Sequence, residues 1–389
     1  METATDGTGD WILDNRAFTC WEKSQYSDLL WLHGKPGSGK STLLKRVVAL
    51  KSEESKRSND RKRETAAALS PGQEFVDYLD TDSDIIVAAF FYSSRGKIPT
   101  EMSHTLMLRS LLYQILRGNS RLFPCFQSKF RELCKAKDGP TWTLNDLRTV
   151  FLSLRGTRTP VTIYIIVDAM DESDLDGRPG ILAFLGEQCS SKSPCVFKGL
   201  IASRPYEDIG DHLAKFSRIS LQEENAKDIK TVIFKGVETR KCKIEPRQLE
   251  KVRKYLMDHS HGVFLWVSIM FKELDQLAKQ GLNETKLEKL LRSLPGEVRY
   301  LYKGIIERLQ TESSDPEGAK KMLIWTAFAD ADLTTRELWD AIVLPPSHHG
   351  PFTPTADFLS RERLGWLGFD DLILTYCGGL IEVRLDTSP

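Results

Sequence analysis

Apolar runs and amphipathic stretches alternate along the first half of the chain. Leu29-Leu30-Trp31-Leu32 is a short apolar run that stops at a Gly-rich turn, and from Ser41 onward Thr42, Leu43, Leu44, Val47 and Val48 recur as on an amphipathic helix. A strand, a turn and a helix therefore follow one another. Ile85-Ile86-Val87-Ala88-Ala89-Phe90-Phe91-Tyr92 reads as a buried strand, and Leu106, Arg109, Leu112, Tyr113 and Leu116 predict a helical stripe after it. Thr143 and Asp146 have the spacing of a capping box, opening a helix with Leu144, Leu147, Phe151 and Leu154 on one face. Val161-Thr162-Ile163-Tyr164-Ile165-Ile166-Val167 is a strand apolar on both faces, 196–202 a fourth and 216–221 a fifth. Buried strands separated by helices predict an α/β domain whose parallel sheet is covered on both sides.

After about residue 222 the strand signals stop. Segments 228–234, 250–258, 263–277, 284–294 and 298–309 read as helices. A further apolar helix spans 322–328, a second is capped by Thr334 with Glu337 three residues on, and a third lies at 371–376. Gly378-Gly379 then leads into Leu380-Ile381-Glu382-Val383, which alternates like a strand, so the end of the chain predicts a winged-helix-like unit. The expected division is a sheet domain over 1–221, a helical domain over 222–315 and the winged-helix-like domain over 316–389. Segment 51–84 stands apart, because it is dense in charge and ends with Pro71-Gly72 before the next strand; it reads as a solvated loop or insertion.

Composition bounds this picture without specifying it. The 389 residues carry 54 Lys plus Arg against 54 Asp plus Glu, and 41% are hydrophobic, enough for two or three domains with cores. No apolar stretch approaches the roughly 20 residues that cross a bilayer, and the polar, acidic start has no signal-peptide pattern. Seven scattered cysteines lack a C-x-x-C or a regular framework, which points to a reducing, cytoplasmic setting. His259/His261 and His348/His349 lack the partners of a zinc site and read as surface or loop residues. Arg61-Lys62-Arg63 is diluted by neighbouring acids and reads as solvated. No repeat of about 20 to 50 residues occurs.

The candidate chemistry begins at Gly34-Lys35-Pro36-Gly37-Ser38-Gly39-Lys40-Ser41, which fits the phosphate-loop pattern G-x-x-x-x-G-K-[ST], with Thr42 following. Glycines let the backbone wind round a polyphosphate and aim N–H groups at it, and the following helix adds its positive N-terminal end. Lys40 is placed to reach the β- and γ-phosphates and Ser41 to hold Mg²⁺ through its hydroxyl. At the end of the strand 161–167, Asp168 faces the same crevice and is the second expected Mg²⁺ contact. Asp171 or Glu172 would orient the attacking water or accept its proton. Arg204, after the next strand in Ala202-Ser203-Arg204-Pro205, either reads the γ-phosphate or is an ordinary surface arginine.

Taken together, these motifs resemble the NACHT NTPases, most closely the fungal ones related to heterokaryon-incompatibility proteins and nephrocystin-type P-loop regions. Trp31-Leu32-His33 through Thr42-Leu43 resembles their Walker A, Phe90-Phe91-Tyr92 their second core strand, and Ser110-Leu111-Leu112-Tyr113-Gln114-Ile115-Leu116 the helix after it. Asp168 to Glu172 resembles their Walker B, Ser203-Arg204-Pro205 their sensor, and His261-Gly262-Val263-Phe264-Leu265-Trp266-Val267 and Cys377-Gly378-Gly379-Leu380-Ile381-Glu382-Val383 their later landmarks. Ala169 stands where the family usually has Gly, a small-for-small exchange that should be tolerated, and no Pro follows Gly262.

The resemblance implies a signalling switch that binds ATP or GTP with Mg²⁺, hydrolyses it slowly and self-associates in the triphosphate state. It also implies effector and sensor parts outside these residues. Two other classes compete. A P-loop phosphotransferase would need an acceptor pocket or Arg-rich lid, and none stands out. An ATPase acting on nucleic acid would grip it with the terminal unit, but residues 321–389 hold five basic against ten acidic side chains, a charge that repels a phosphate backbone. The expectation is therefore a nucleotide partner, with neither nucleic acid nor membrane.

Overall fold

The computed structural model describes residues 5, 7–69, 83–93, 102–135, 141–190, 192–240, 244–279, 283–293, 316–329 and 333–343, with scattered positions between 303 and 381. The first unit comprises Met1–Ser94, Pro99–Val232 and Gly262–Phe264. In chain order it begins with α1 (Trp11–Asp14), α2 (Arg16–Lys23), β1 (Asp28–His33), α3 (Lys40–Leu69) and β2 (Ile85–Phe91). There follow α4 (His104–Gly118), α5 (Phe123–Leu133), α6 (Leu144–Arg155), β3 (Val161–Asp168) and α7 (Arg178–Gln188). The unit continues through β4 (Cys195–Ser203), α8 (Glu207–Leu213), β5 (Ser217–Ser220), α9 (Leu221–Glu224) and the start of α10 (Ala226–Glu238).

The five strands form one parallel sheet in the order β2-β3-β4-β1-β5. β3 is buried almost throughout because both faces are covered. One face meets Met107, Leu108, Leu111, Phe151, Ile181 and Leu185. The other meets Phe18, Trp21, Leu43, Leu44 and Val47. Lys198 on β4 is only 1% exposed, yet its ammonium donates to the carbonyls of Trp21, Ser24 and Tyr26, capping the end of α2 and so satisfying a cation that burial pushes towards neutrality.

The expected strands and the helix at 144 are present, and the Thr143–Asp146 capping box closes in both directions. Two local readings are corrected. The charged segment is not a loop as far as Leu69: it prolongs α3. Lys, Arg, Glu and Ala are strong helix formers whatever their hydropathy, and pairs such as Arg57–Glu53 and Lys51–Glu54 run along the helix. Residues 70–82 lie outside those described. On α4 the buried face is His104, Met107, Leu108, Leu111, Leu112 and Ile115, whereas Tyr113 is 62% exposed. The buried residues recur at helical spacing and the other side carries Thr105, Arg109, Ser110, Gln114 and Arg117, so the face that packs on β2 is the regular stripe that the expected one crossed.

The second unit is Arg95–Ile98, Ile233–His261 and Leu265–Pro389. Its described part is helical: the rest of α10, α11 (Pro246–His259), α12 (Phe264–Lys279), α13 (Glu284–Ser293) and two helices at Pro316–Phe328 and Thr335–Val343. Arg240 forms a two-pronged pair with Asp275 and lies over the Phe271 ring. Thr334 and Glu337 cap the last helix reciprocally, and Met322, Leu338, Ile373, Cys377 and Ile381 share a small core. The expected strand at 380–383 and the helices at 298–309 and 371–376 lie outside the described residues apart from isolated positions. Among the described residues no helix is long and apolar enough to cross a membrane, and all the cysteines are free.

Candidate phosphate and metal site

All five strands are parallel, so their carboxyl ends line one edge of the sheet, where β1 ends at His33, β4 at Ser203 and β3 at Asp168. His33 pairs with Ser203 and Val167 with Ile201. Because β4 runs between β1 and β3, its final loop stands between the Gly-rich turn and the acid.

The turn after β1 is shaped by backbone. Gly37 and Gly39 have φ of 72° and 93°, a region in which a Cβ would be strained. A Cβ on Gly39 would also lie 3.2 Å from the Phe264 ring. The Gly34 N–H donates to the Ser203 carbonyl at 3.3 Å, and Lys40 opens α3. The Lys40 ammonium donates to the carbonyls of Gly34 (2.8 Å) and Lys35 (3.1 Å). Beneath the turn, Asn225 Nδ2 donates to the Ser38 carbonyl at 3.2 Å and to the Gly262 carbonyl at 2.8 Å, while the Lys35 N–H donates to Gln222 at 3.3 Å. Lys35, Pro36, Gly37 and Thr42 are exposed, and Ser38 is buried with its hydroxyl lacking a partner among the described residues.

Asp168 is 2% exposed. It accepts from its neighbour's Ala169 N–H at 2.8 Å and from the Ser41 hydroxyl. Burial holds its proton affinity above the ordinary carboxylate range, against the pull of those bonds and of Lys40. Burial also lowers the pKa of Lys40, with Arg204 adding to the effect while Asp171, Asp168 and Glu172 oppose it. A buried acid beside a half-buried base, each reluctant to carry its charge, is the condition that a bound cation and a bound phosphate relieve. The residues fit Mg²⁺: Ser41 and Asp168 offer hard oxygens, and no group of three or more His, Cys, Asp or Glu among the described residues could cage a metal by itself. That is the incomplete set Mg²⁺ takes when phosphates supply the remaining oxygens.

Beyond Asp168 the chain turns sharply. Ala169 is left-handed (φ 53°, ψ 42°), the backbone reason for a glycine there, and the alanine is accommodated although a Cβ in this region costs about 1 kcal/mol or more. A 3-10 turn, Met170–Glu172, follows. Asp171 accepts from the Arg204 N–H at 3.0 Å and pairs with its Nε at 3.1 Å, so the two candidates after β3 and β4 meet. The buried Arg178 donates to the Asp171 and Ser173 carbonyls, the Ser173 hydroxyl and Asp208.

The structure thus gathers Lys40, Ser41, Asp168, Asp171, Glu172 and Arg204 about one edge. Of four residues that support them, Trp31, Arg178, Gln222 and Asn225, the last three carry no signal in the sequence. Trp31 donates from its indole to the Ser203 hydroxyl at 2.9 Å, a role that its place in the strand and in the stretch resembling Walker A does not announce. Arg178 reads as one more arginine before a Pro-Gly pair.

Comparison with known proteins bears on the family. Residues 7–69 and 72–204 match the family described as "Nephrocystin 3, N-terminal". The chain is 27% identical over 347 residues to the vegetative incompatibility protein HET-E-1 of Podospora anserina, covering 86% of this chain but 23% of that protein. Among solved structures, the Aeropyrum pernix ORC1 protein in complex with DNA aligns at a TM-score of 0.35 with 10% identity, over 90% of this chain and 81% of that one. Drosophila ORC bound to DNA aligns at 0.34 with 11% identity, over 88% and 74%. Likeness at that level has no bearing on what this chain binds.

Proposed function

The chain belongs to the Nephrocystin 3, N-terminal family and is a NACHT/HET-type P-loop NTPase, and from that premise we propose that it is a nucleotide-operated signalling switch that hydrolyses ATP or GTP slowly. The observation that carries this reading is the hydrogen bond from Ser41 to buried Asp168 beside Lys40. It supports a division of labour in which the turn from Gly34 to Thr42 wraps the phosphates, Lys40 neutralises them, and Ser41 with Asp168 holds Mg²⁺. Mg²⁺ would supply charge neutralisation between the β- and γ-phosphates. Asp171 or Glu172 would orient the attacking water, and Asp171 also takes Arg204 on both of its oxygens. Arg204 answers to the γ-phosphate.

A switch requires two arrangements whose balance depends on that phosphate. The expected output is self-association in the triphosphate state, in a pathway of the incompatibility type, with effector and sensor parts supplied by other segments or other proteins. The test is to extract and identify the nucleotide that accompanies the purified protein, then to measure particle mass before and after exchange for triphosphate. A diphosphate released from a smaller particle, and a larger one after exchange, is the expected result. Failure to take up either ATP or GTP at saturation sinks the reading, as does phosphate delivered to an acceptor instead of to water.

A further inference from the structure

We infer that Arg178 is a positioning residue that ties the acid turn after β3 to the arginine after β4, and so sets how strongly the site distinguishes triphosphate from diphosphate. The inference rests on the nucleotide reading above but concerns a residue outside the phosphate loop and the acid turn.

Arg178 is 2% exposed. Its Nε donates to the Ser173 hydroxyl at 3.1 Å, and one Nη to the carbonyls of Asp171 at 2.9 Å and Ser173 at 2.7 Å. The other Nη reaches the Asp208 carboxylate at 2.9 Å, in the loop-to-helix segment that follows Arg204. These bonds therefore go to the loop that ends β3 and to the first turn of α8, which follows the loop that ends β4. The residue does nothing for its own helix: it is the first residue of α7, where a cation opposes the macrodipole. A planar fork with fixed donor directions is the group suited to holding two segments in one geometry.

The consequence lies one step away, at Asp171. Its carboxylate takes the Arg204 N–H and Nε, while Arg178 fixes its backbone. A γ-phosphate competes with Asp171 for the same guanidinium. With the Asp171 backbone held, the carboxylate cannot follow Arg204, so exchange of one anion for the other is sharp. Once the Asp171 backbone is loosened, the pair moves together and the response to the γ-phosphate fades. Asp168 is three residues upstream on the same turn, so its alignment is also affected.

The experiment uses the full chain with Arg178→Lys, Arg178→Gln and Asp208→Asn. The readouts are affinity for ADP and for the non-hydrolysable analogue AMP-PNP with Mg²⁺, their guanine counterparts in parallel, and single-turnover phosphate release. For Arg178→Lys, affinity for the diphosphate stays within about 3-fold of wild type, the triphosphate-to-diphosphate preference falls about 10-fold, and phosphate release slows on the order of 100-fold, the penalty for misplacing groups by about an ångström. Asp208→Asn, which weakens one bond on an exposed side chain, shifts the same two readouts about 3- to 5-fold. It keeps the test decisive should either Arg178 variant fail to fold. Wild-type preference and turnover in Arg178→Lys overturn the inference, and so does an equal loss of both nucleotides accompanied by a lower Tm, which would mark a purely structural role. Wild-type protein that binds no nucleotide overturns the nucleotide reading as well, whereas normal binding by wild type with an unresponsive Arg178→Lys overturns this inference alone.

Discussion

At the turn after β1 the backbone does most of the shaping: Gly37 and Gly39 take left-handed angles, and Lys40, Gln222 and Asn225 bond the backbone so formed. At the turn after β3 the same kind of angle falls on Ala169, and side chains hold it there, with Asp171, Arg178 and Arg204 joined across two loops. The first turn takes its shape chiefly from its own glycines, with Ser203, Gln222 and Asn225 bonded to it from elsewhere in the chain. The second is a tertiary one, specified by residues brought from α7 and the end of β4. Substitution in the first should therefore act on binding, and substitution in the second on discrimination and chemistry.

The largest effect separates the two turns most plainly. Lys40→Ala is expected to weaken affinity for both diphosphate and triphosphate by on the order of 100-fold or more, since charge-assisted bonds to phosphate are worth about 1.5–3 kcal/mol each. Unchanged affinity, measured by calorimetry, would remove the phosphate assignment.

Next, Glu172→Gln is expected to leave binding intact, slow turnover by about 100-fold or more and accumulate bound triphosphate, as loss of a positioned acid does. Full steady-state turnover would exclude Glu172 from the chemistry. Asp171→Asn, which weakens the hold on Arg204, should also trap triphosphate, though less completely, and normal turnover there would release Asp171 from its place in the network.

A smaller effect tests the backbone of the acid turn. Ala169→Gly is expected to raise stability by about 1 kcal/mol at the left-handed position, less the extra chain entropy of glycine. Denaturant melts decide this, and a destabilised variant would mean that the methyl group packs usefully.

The smallest effect is electrostatic. Burial raises the Asp168 pKa in the folded state, so its charged form costs stability above that pKa, and the cost disappears as pH falls through it. Without Mg²⁺ and nucleotide, Asp168→Asn should therefore melt slightly higher than wild type at neutral pH, with the gap closing in the acid range. With both added, the order should reverse. A gap that ignores pH would show that the buried carboxylate is already compensated.

Much of the architecture was legible because its signals are short-range. Strands such as 161–167 are apolar on both faces, Thr143 and Asp146 cap a helix within one turn, and the phosphate loop is contiguous. The α3 extension was misread because charge density was taken for solvation where helix propensity prevailed. The α4 stripe was misplaced because Leu106, Tyr113 and Leu116 add apolar side chains beyond the face that packs on β2, where Met107, Leu108, Leu111, Leu112 and Ile115 recur.

The sequence alone specified the parallel α/β class, the Gly-rich turn after β1 and the acid that ends β3, because spacing within one segment is enough to encode each. The order of the strands was decided only in three dimensions. With β4 between β1 and β3, Arg204 reaches Asp171, and Arg178 reaches the loop after β3 and the first turn of α8. Residues 171, 178, 204 and 208 meet through packing of the sheet and its flanking helices; the sequence placed Asp171 and Arg204 after their strands, but nothing in local spacing joined them or distinguished Arg178 and Asp208 from ordinary surface charges.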